Sequence, residues 1–239
     1  MKILNIFLIL FTIVLFSACT EDAPQANLTF SHNADGNEIQ PNTTLHSIGA
    51  NGKLASFSSV QFYISNLRMI KTDGSEFPID GHFYIDLDNS TIDLGEIDAG
   101  SYTDIKFDVG VDSANNHLNI ANLPEIDPLS YQDPSMHWGW TGGYRFISLN
   151  GNYDADGNGL VEQTDSIFQL HLGNDAYLKE AHVSYSLETQ ADEVYDLDIT
   201  VDYSALFNYN IDEFPITKTV MVNTRNTTIA NEIPSIFSR

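Results

Sequence analysis

The feature that most constrains the fold of this chain is a short-range alternation of apolar and polar residues that recurs along most of its length. Successive side chains of a strand point to opposite faces, so this period of two predicts β-strands, and no segment has the spacing of a long amphipathic helix. Turn residues separate seven predicted strands, at residues 59–70, 82–87, 101–111, 143–149, 166–172, 182–187 and 194–203. The Asp73-Gly74 pair predicts a hairpin turn after the first of them.

Many short strands separated by turns are typical of a β-sandwich or a barrel. We therefore expect an all-β fold, a single antiparallel sandwich or barrel-like domain over residues 27–239, with long loops and at most short helices. Residues 112–134 are rich in Asn and Pro and have little periodicity, and loops of this length are often functional. Residues 229–237 are expected to form one or two helical turns against the sheet. No internal repeat or domain boundary is visible.

The N-terminal segment resembles a bacterial export signal. Lys2 is followed by an apolar run over residues 3–16, which is shorter than the roughly 20 residues of a membrane span. Small residues then lead to Cys19, the only cysteine of the chain. This order is that of a signal peptide over residues 1–18 and a lipidated cysteine that opens a tether over residues 19–26. An ordinary signal peptide beside a chance cysteine is the alternative. The lipid reading predicts anchoring to a membrane and a place in the cell envelope, at the outer membrane or cell surface.

The charge of the chain limits its partners. The sequence holds 33 acidic residues against 10 Lys and Arg, a net charge of −23. Such a surface repels phosphate backbones, so nucleic acid is excluded as a partner, and it favours cations. Most of these acids are expected to serve solubility alone. If Cys19 is acylated, no thiolate is left for a metal, which then takes imidazole, carboxylate, thioether or carbonyl ligands.

Five motifs, which occur in family order, resemble the MbnP-like family of copper-binding proteins associated with methanobactin. They are Tyr63-Ile64-Ser65-Asn66-Leu67; Gly110-Val111-Asp112 with Asn116-His117; Met136-His137-Trp138-Gly139-Trp140 with Gly143-Tyr144-Arg145-Phe146 and Asn150-Gly151; Phe168-Gln169-Leu170-His171-Leu172-Gly173; and Asn231-Glu232-Ile233-Pro234-Ser235-Ile236-Phe237. They are numbered one to five below. The third is the most specific, and Asn150 stands in it where the family usually has Glu.

The resemblance implies copper binding outside the cytoplasm by a lipoprotein member of the family. In the family a tryptophan is oxidised to kynurenine by a di-haem peroxidase of the MauG type, and the product helps histidines to hold copper. The corresponding residues here are Trp138 and Trp140. Many lipoprotein relatives lack an evident di-haem partner. The expected activity is binding, not turnover.

Five side chains are candidate copper ligands: His32, His117, His137, His171 and Met136. Neutral imidazoles suit copper well. His171 is flanked by two leucines and is expected to point away from them, whereas on an extended segment His137 and Trp138 point to opposite faces. A core histidine, core tryptophans and a packing methionine are the alternative readings. The other three histidines are interpreted as structural or exposed: His46, His82 and His182.

An acidic segment over residues 154–165 has the spacing of a calcium loop. Oxygen ligands fall at positions one, three, five, seven, nine and twelve, which are Asp154, Asp156, Asn158, the Leu160 carbonyl, Glu162 and Asp165. Gly159 occupies position six, where such a loop turns sharply. No helix flanks the segment, so the expected site is a structural hairpin loop. The alternative is a polar turn, because Asp, Asn and Gly are the usual turn residues.

Two other classes of function are alternatives to copper binding. A calcium-stabilised cell-surface binding module, for example for glycans, would use the many aromatic residues as a platform, although β-cores also need them. For an enzyme the chain offers no G-x-S-x-G, no H-E-x-x-H and no reactive cysteine. We therefore expect no enzymatic activity.

Overall fold

The computed structural model describes residues 21–139, 142–162, 164–219 and 222–239. The predicted signal peptide, Cys19 and Trp140 lie outside these residues. Thirteen strands are numbered in chain order: β1 Gln25–Ala34, β2 Asn37–Glu38, β3 His46–Ile48, β4 Lys53–Lys71, β5 Glu76–Asp86, β6 Thr91–Glu96, β7 Gly100–Val109, β8 Ile147–Tyr153, β9 Ser166–Leu172, β10 Lys179–Thr189, β11 Val194–Asp202, β12 Ile216–Thr219 and β13 Phe237–Ser238. Helix α1 covers Thr224–Asn231. Short 3₁₀ turns lie at Ile120–Asn122, Asp175–Tyr177, Tyr203–Phe207 and Ile233–Ile236.

The strands form two sheets. The smaller has the order β13-β11-β1-β2, with β6 also on β1, and the larger has the order β10-β7-β4-β8-β9-β12, with β3 and β5 also on β4. The sheets do not close into a barrel, which confirms the all-β sandwich. The expectation of antiparallel pairing is wrong for two strand pairs, since β1 runs parallel to β11 and β9 runs parallel to β12.

Aromatic rings fill the space between the sheets. Phe30 of β1 meets Phe62 of β4 edge-on, with ring centroids 5.5 Å apart, and Phe107 of β7 at 5.8 Å. Phe237 of the fifth motif inserts between them, with its centroid 5.0 Å from that of Phe107. Edge-to-face pairs stabilise such a core beyond their burial of apolar area. The fifth motif therefore belongs to the core.

The two chain ends differ in detail from the prediction. Strand β1 begins at Gln25, so the last two residues of the predicted tether already lie in the sheet. Helix α1 begins at Thr224, earlier than the predicted helical turns, because the Asn223 side chain caps it by accepting a hydrogen bond from the Asn226 backbone N–H. In the described ranges, no helix combines the length and the apolar character that crossing a membrane requires.

A second, smaller core lies on the outer face of the larger sheet. Phe62 and Ile64 of β4 point into the sandwich, so Tyr63 between them points outward. Residues 111–146, called here the cover loop, lie over this face. The buried side chains of the second core are Tyr63, Val111, Leu129, Met136, Tyr144 and Phe146. The cover loop thus packs on the sheet through its own apolar residues.

Candidate metal centre

Three motif glycines mark the points where different motifs touch. A Cβ on Gly110 of motif two would lie 2.5 Å from the ring of Phe146 in motif three. A Cβ on Gly143 of motif three would lie 2.5 Å from the Asn116 side chain of motif two. Such approaches are shorter than any real Cβ contact, so only glycine lets the motif segments come this close.

The third contact joins motifs three and four. A Cβ on Gly173 would lie 2.7 Å from the Trp138 ring and would overlap the backbone oxygen of Tyr144. The residue directly after β9 is therefore a glycine, and the indole lies against it. Gly173 directly follows the paired residues of β9 and is two positions from His171, so both are expected on the outer face of the strand.

Tyr63 of motif one completes the convergence. Its N–H donates to the Phe146 oxygen at 3.0 Å, and its carbonyl accepts from the Gly110 N–H at 2.8 Å. Its ring meets Tyr144 edge-on, with centroids 5.4 Å apart. Four of the five motifs, far apart in the chain, thus meet at one place on the outer face of the larger sheet.

His137 lies at the centre of this place. It forms an isolated bridge with Tyr144, and the two ring centroids are 4.6 Å apart. Its Nδ1 accepts a hydrogen bond from the Gly139 N–H at 2.9 Å, whereas Nε2 is buried and has no hydrogen-bond partner among the described residues. Burial first, and the nearby charge of His117 second, lower the pKa of His137 below 6.5. The imidazole is therefore neutral near pH 7, as metal ligation requires.

His117 lies on the same side, exposed at half of its side-chain surface. Its Nε2 is 3.6 Å from Oδ1 of Asp175, close enough for an ion pair but too long for a hydrogen bond. Asn116 fixes the backbone before it, since its side chain accepts from the Tyr144 N–H at 2.8 Å and donates to Asp175 at 2.5 Å. Burial alone would raise the pKa of Asp175, but hydrogen bonds from Asn116 and Ser113 and the charge of His117 lower it.

Trp138 and His171 form the other half of the centre. The Trp138 ring lies on Gly173, and the Arg145 guanidinium carbon is 5.7 Å from its ring centroid. His171 is buried, with Nε2 2.8 Å from Oδ1 of Asn150 on β8. His137 and Trp138 have different neighbours, Tyr144 and Gly173 respectively.

The tyrosines around the centre stay neutral. Burial, with a smaller effect of the Asp127 charge, raises the pKa of Tyr144 to about 12. Burial raises the pKa of Tyr63 further, and the neighbouring tyrosines add to the effect. The Tyr144 hydroxyl donates to the Leu129 oxygen at 2.6 Å. Both phenols are therefore un-ionised at neutral pH when no metal is bound.

Two candidate ligands lie elsewhere. Met136 is buried and belongs to the apolar second core. His32 lies inside the sandwich, with Nδ1 2.8 Å from the Tyr203 hydroxyl and its ring parallel to that of Tyr203. It contacts Phe62 on the inner face of the larger sheet, opposite to the face that carries His171. The fold therefore does not bring His32 to the centre.

His32 gives the fold a pH dependence. Burial lowers the pKa of His32 to about 4, against 6.5 in the unfolded chain, although the Asp86 carbonyl and charge oppose the shift. Protonation therefore favours the unfolded chain, and stability falls as the pH drops from about 6.5 towards about 4. Between pH 7.5 and 5.5 the loss is about 1.4 kcal/mol from this group. Denaturant titrations of wild type and His32→Gln should differ by this amount in their pH dependence, and identical pH dependences would contradict it.

Sequence reasoning missed two anchors of the cover loop. Nε2 of His82 on β5 lies 2.7 Å from Oδ2 of Asp112, which is in the first turn of the cover loop. The sequence predicts a structural or exposed role for His82 but does not indicate this partner. Asp175 lies two residues after the end of motif four. Its carboxylate accepts hydrogen bonds from the Ser113 hydroxyl and the Asn116 amide. No pattern in the sequence singles out Asp175, because its partners lie about 60 residues away.

Within the described ranges, no three His, Cys, Asp or Glu side chains lie close enough to hold a metal ion.

The predicted calcium loop is shaped around Asp154. This carboxylate is almost fully buried and accepts from the backbone N–H groups of Gly157 at 2.6 Å, Asn158 at 3.1 Å and Gly159 at 2.8 Å. Burial would raise the pKa of Asp154, but these hydrogen bonds lower it. Further along, Asp165 accepts from the Glu162 N–H at 2.7 Å. The first half of the loop thus has its sharp turn, while the carboxylates of Asp156 and Asp165 accept hydrogen bonds from the backbone N–H groups of Asn158 and Glu162.

The fold defines a β-sandwich domain whose cover loop carries two imidazoles and an indole over the sheet face that holds a third imidazole, His171. The MbnP family model matches residues 23–228, so the chain belongs to the MbnP family. The fold is similar to that of the solved MbnP from Methylosinus trichosporium, with a TM-score of 0.59 and 17% identity over 84% of this chain and 82% of that one. A comparison with curated proteins gives no match.

Proposed function

We propose that this protein binds copper outside the cytoplasm through His117, His137 and His171 beside Trp138. The observation that carries the proposal is the buried Nε2 of His137, which has no hydrogen-bond partner among the described residues, in a side chain near enough to His117 for that charge to lower its pKa. Leaving a buried polar atom unpaired costs free energy, which a ligand can offset. Neutral imidazoles suit copper, so the donor types present fit this metal. Because no three such side chains of the described residues lie close enough together to hold a metal ion, the proposal requires the cover loop to move when copper binds.

The geometry of His137 sets a condition for binding. Its Nδ1 now accepts from the Gly139 N–H. Ligation through Nδ1 uses that lone pair, and ligation through Nε2 requires the hydrogen to move to Nδ1. Either way, metal binding breaks the Gly139 contact. The loop around Gly139 is therefore expected to change conformation when copper binds.

Asp175 is suited to orient His117. A carboxylate near one ring nitrogen of a metal-binding histidine fixes its tautomer and raises its basicity. With Asp175 near Nε2, the nitrogen that faces a metal is Nδ1. Asp175 is itself held by Ser113 and Asn116, so it is a fixed partner.

A tryptophan oxidised to kynurenine supplies a further ligand in this proposal. The oxidation opens the C2–C3 bond of the indole and releases C2 as formate, which leaves an aryl amine. A di-haem peroxidase of the MauG type is the proposed partner that supplies the oxidising equivalents. Trp138 and Trp140 are the two candidates. The Trp138 ring lies against Gly173, which is two residues after His171.

Metal analysis of the protein purified from its native host tests the function directly. We expect copper to copurify, and intact mass to show one tryptophan that has gained an oxygen and lost a carbon. Copper without the mass change would remove the kynurenine step alone. Absence of copper, together with no copper uptake by the purified protein, would overturn the function.

A lipid anchor on Cys19 is a further part of the proposal. Cys19 follows an apolar run and small residues, the order of an acylation site. We therefore propose an envelope lipoprotein at the outer membrane or cell surface. Incorporation of a labelled fatty acid into wild type, and its loss in Cys19→Ser, is the expected result; equal labelling of both chains would contradict it.

A calcium ion in the 154–165 loop is a second proposal, supported by the three backbone donors on Asp154. Because a bound ion stabilises only the folded chain, removing calcium with a chelator should lower the melting temperature by about 5 °C. Asp154→Ala should melt at the same temperature with and without chelator. A wild-type melting curve that does not respond to chelator would contradict the proposal.

The other functional readings have less support. Among the described residues, Tyr131 and Phe214 are the aromatic side chains with a large exposed surface, which is little for a glycan platform. Apart from Trp138, the other described aromatic side chains belong to the two cores or pack against them. We therefore propose a binding protein without enzymatic activity.

A further inference from the structure

His171 and Asn150 lie diagonally across neighbouring strands on the outer face of the larger sheet. In the register of β8 and β9, Ser148 is opposite His171 and Asn150 is opposite Gln169. Diagonal neighbours are within reach of long side chains. Oδ1 of Asn150 is 2.8 Å from Nε2 of His171.

The amide group of Asn150 is held on its other side. Its Nδ2 donates to the Ser59 hydroxyl on β4 at 2.9 Å and lies 3.5 Å from the Ser148 hydroxyl. These two hydroxyls take up the amide N–H donors, so the amide oxygen faces the imidazole. An amide oxygen accepts only, so Nε2 of His171 must donate.

We infer that Asn150 is a positioning residue that keeps the hydrogen of His171 on Nε2, which makes Nδ1 the nitrogen through which His171 binds copper. A neutral imidazole carries one N–H, and the hydrogen bond at one nitrogen decides which nitrogen offers a lone pair. The inference rests on the proposed copper function, to which it adds the binding atom of His171. Partners of this kind typically change metal affinity 10–100-fold when they are removed.

The tautomer is measured first, without metal. In protein labelled with ¹⁵N-histidine at pH 8, long-range proton–nitrogen correlations distinguish the two ring nitrogens. We expect His171 of wild type to carry its hydrogen on Nε2, Asn150→Leu to lose this preference, and Asn150→Asp, whose carboxylate also accepts, to keep it. A hydrogen on Nδ1 in the wild type would overturn the inference.

Copper affinity is measured second, by competition with a chromophoric Cu(I) chelator. Asn150→Leu should bind about 10–100-fold more weakly than wild type, and Asn150→Asp should recover most of the affinity. Gln169→Leu is the matched control, because Gln169 is opposite Asn150 on the same face and makes no hydrogen bond to His171 in the described structure. Unchanged affinity in Asn150→Leu would overturn the inference. If no variant binds copper although the tautomer shifts as expected, the copper function fails and the pairing of Asn150 with His171 stands.

Discussion

Replacing Gly173 by alanine is expected to lower the free energy of unfolding by about 3 kcal/mol, at the upper end of the usual cost of overpacking. The added methyl group would overlap the Tyr144 backbone oxygen and lie 2.7 Å from the Trp138 ring. A backbone oxygen cannot rotate away, so the end of β9 must separate from the cover loop. For a domain of this size the melting temperature should fall by about 10 °C.

A matched glycine separates this steric effect from backbone preference. Gly74, in the hairpin turn between β4 and β5, has a φ of +84° and no atom within 4 Å of an added Cβ. Gly74→Ala therefore causes no steric overlap and lowers the free energy of unfolding only through the left-handed backbone conformation, by about 1–2 kcal/mol. Gly173→Ala should be clearly less stable than Gly74→Ala and should also change the near-ultraviolet dichroism of Trp138. Equal unfolding free energies and unchanged dichroism would mean that the contact between motifs three and four has no energetic weight.

The strands were predictable because alternation is a local signal. Residues 59–70 lie within β4, and the turn at Asp73-Gly74 joins β4 to β5 as expected. The pairing of strands was not predictable, because nothing within a strand states its partner: β1 runs parallel to β11 with Phe30 opposite Ile199. The predicted antiparallel pairing fails at such points.

Local exceptions came from single residues. The segment 143–149 alternates like a strand, but β8 begins only at Ile147. Gly143 has a φ of +71°, which interrupts an extended backbone, and the residues after it pair with the Met136–Trp138 segment. Periodicity cannot report a left-handed glycine in an otherwise alternating run.

The sequence predicts most residues of the candidate centre but not the contacts between them. The motifs named His117, His137, His171 and Trp138, which the fold brings to one sheet face, but also His32, which it places inside the sandwich. His32 and His171 both lie on alternating strands, and alternation does not tell which sheet face is the inner one. Asp175 and the Asn150 contact depend on the three-dimensional register, so only the structure shows them.

The second large effect concerns the two imidazoles of the cover loop, His117 and His137. We expect His117→Ala combined with His137→Ala to weaken Cu(I) binding more than about 100-fold, because loss of a ligand should exceed the 10–100-fold effect of losing its outer partner. Each single variant should lose affinity, and the two losses should not add, because the residues share one site. Competition titration under reducing, oxygen-free conditions measures all three variants.

His182→Ala is the matched control for this experiment. His182 is 52% exposed and its Nε2 lies 2.7 Å from Asp104, which resembles the 50% exposed His117 beside Asp175. It lies on β10, where it pairs with Lys106 of β7, and it belongs to none of the five motifs. Because exposed ion pairs contribute little to stability, both histidines can be replaced without unfolding the chain. If His182→Ala weakens copper binding as much as His117→Ala does, the imidazoles act through surface charge, and the candidate centre at the cover loop is not where copper binds.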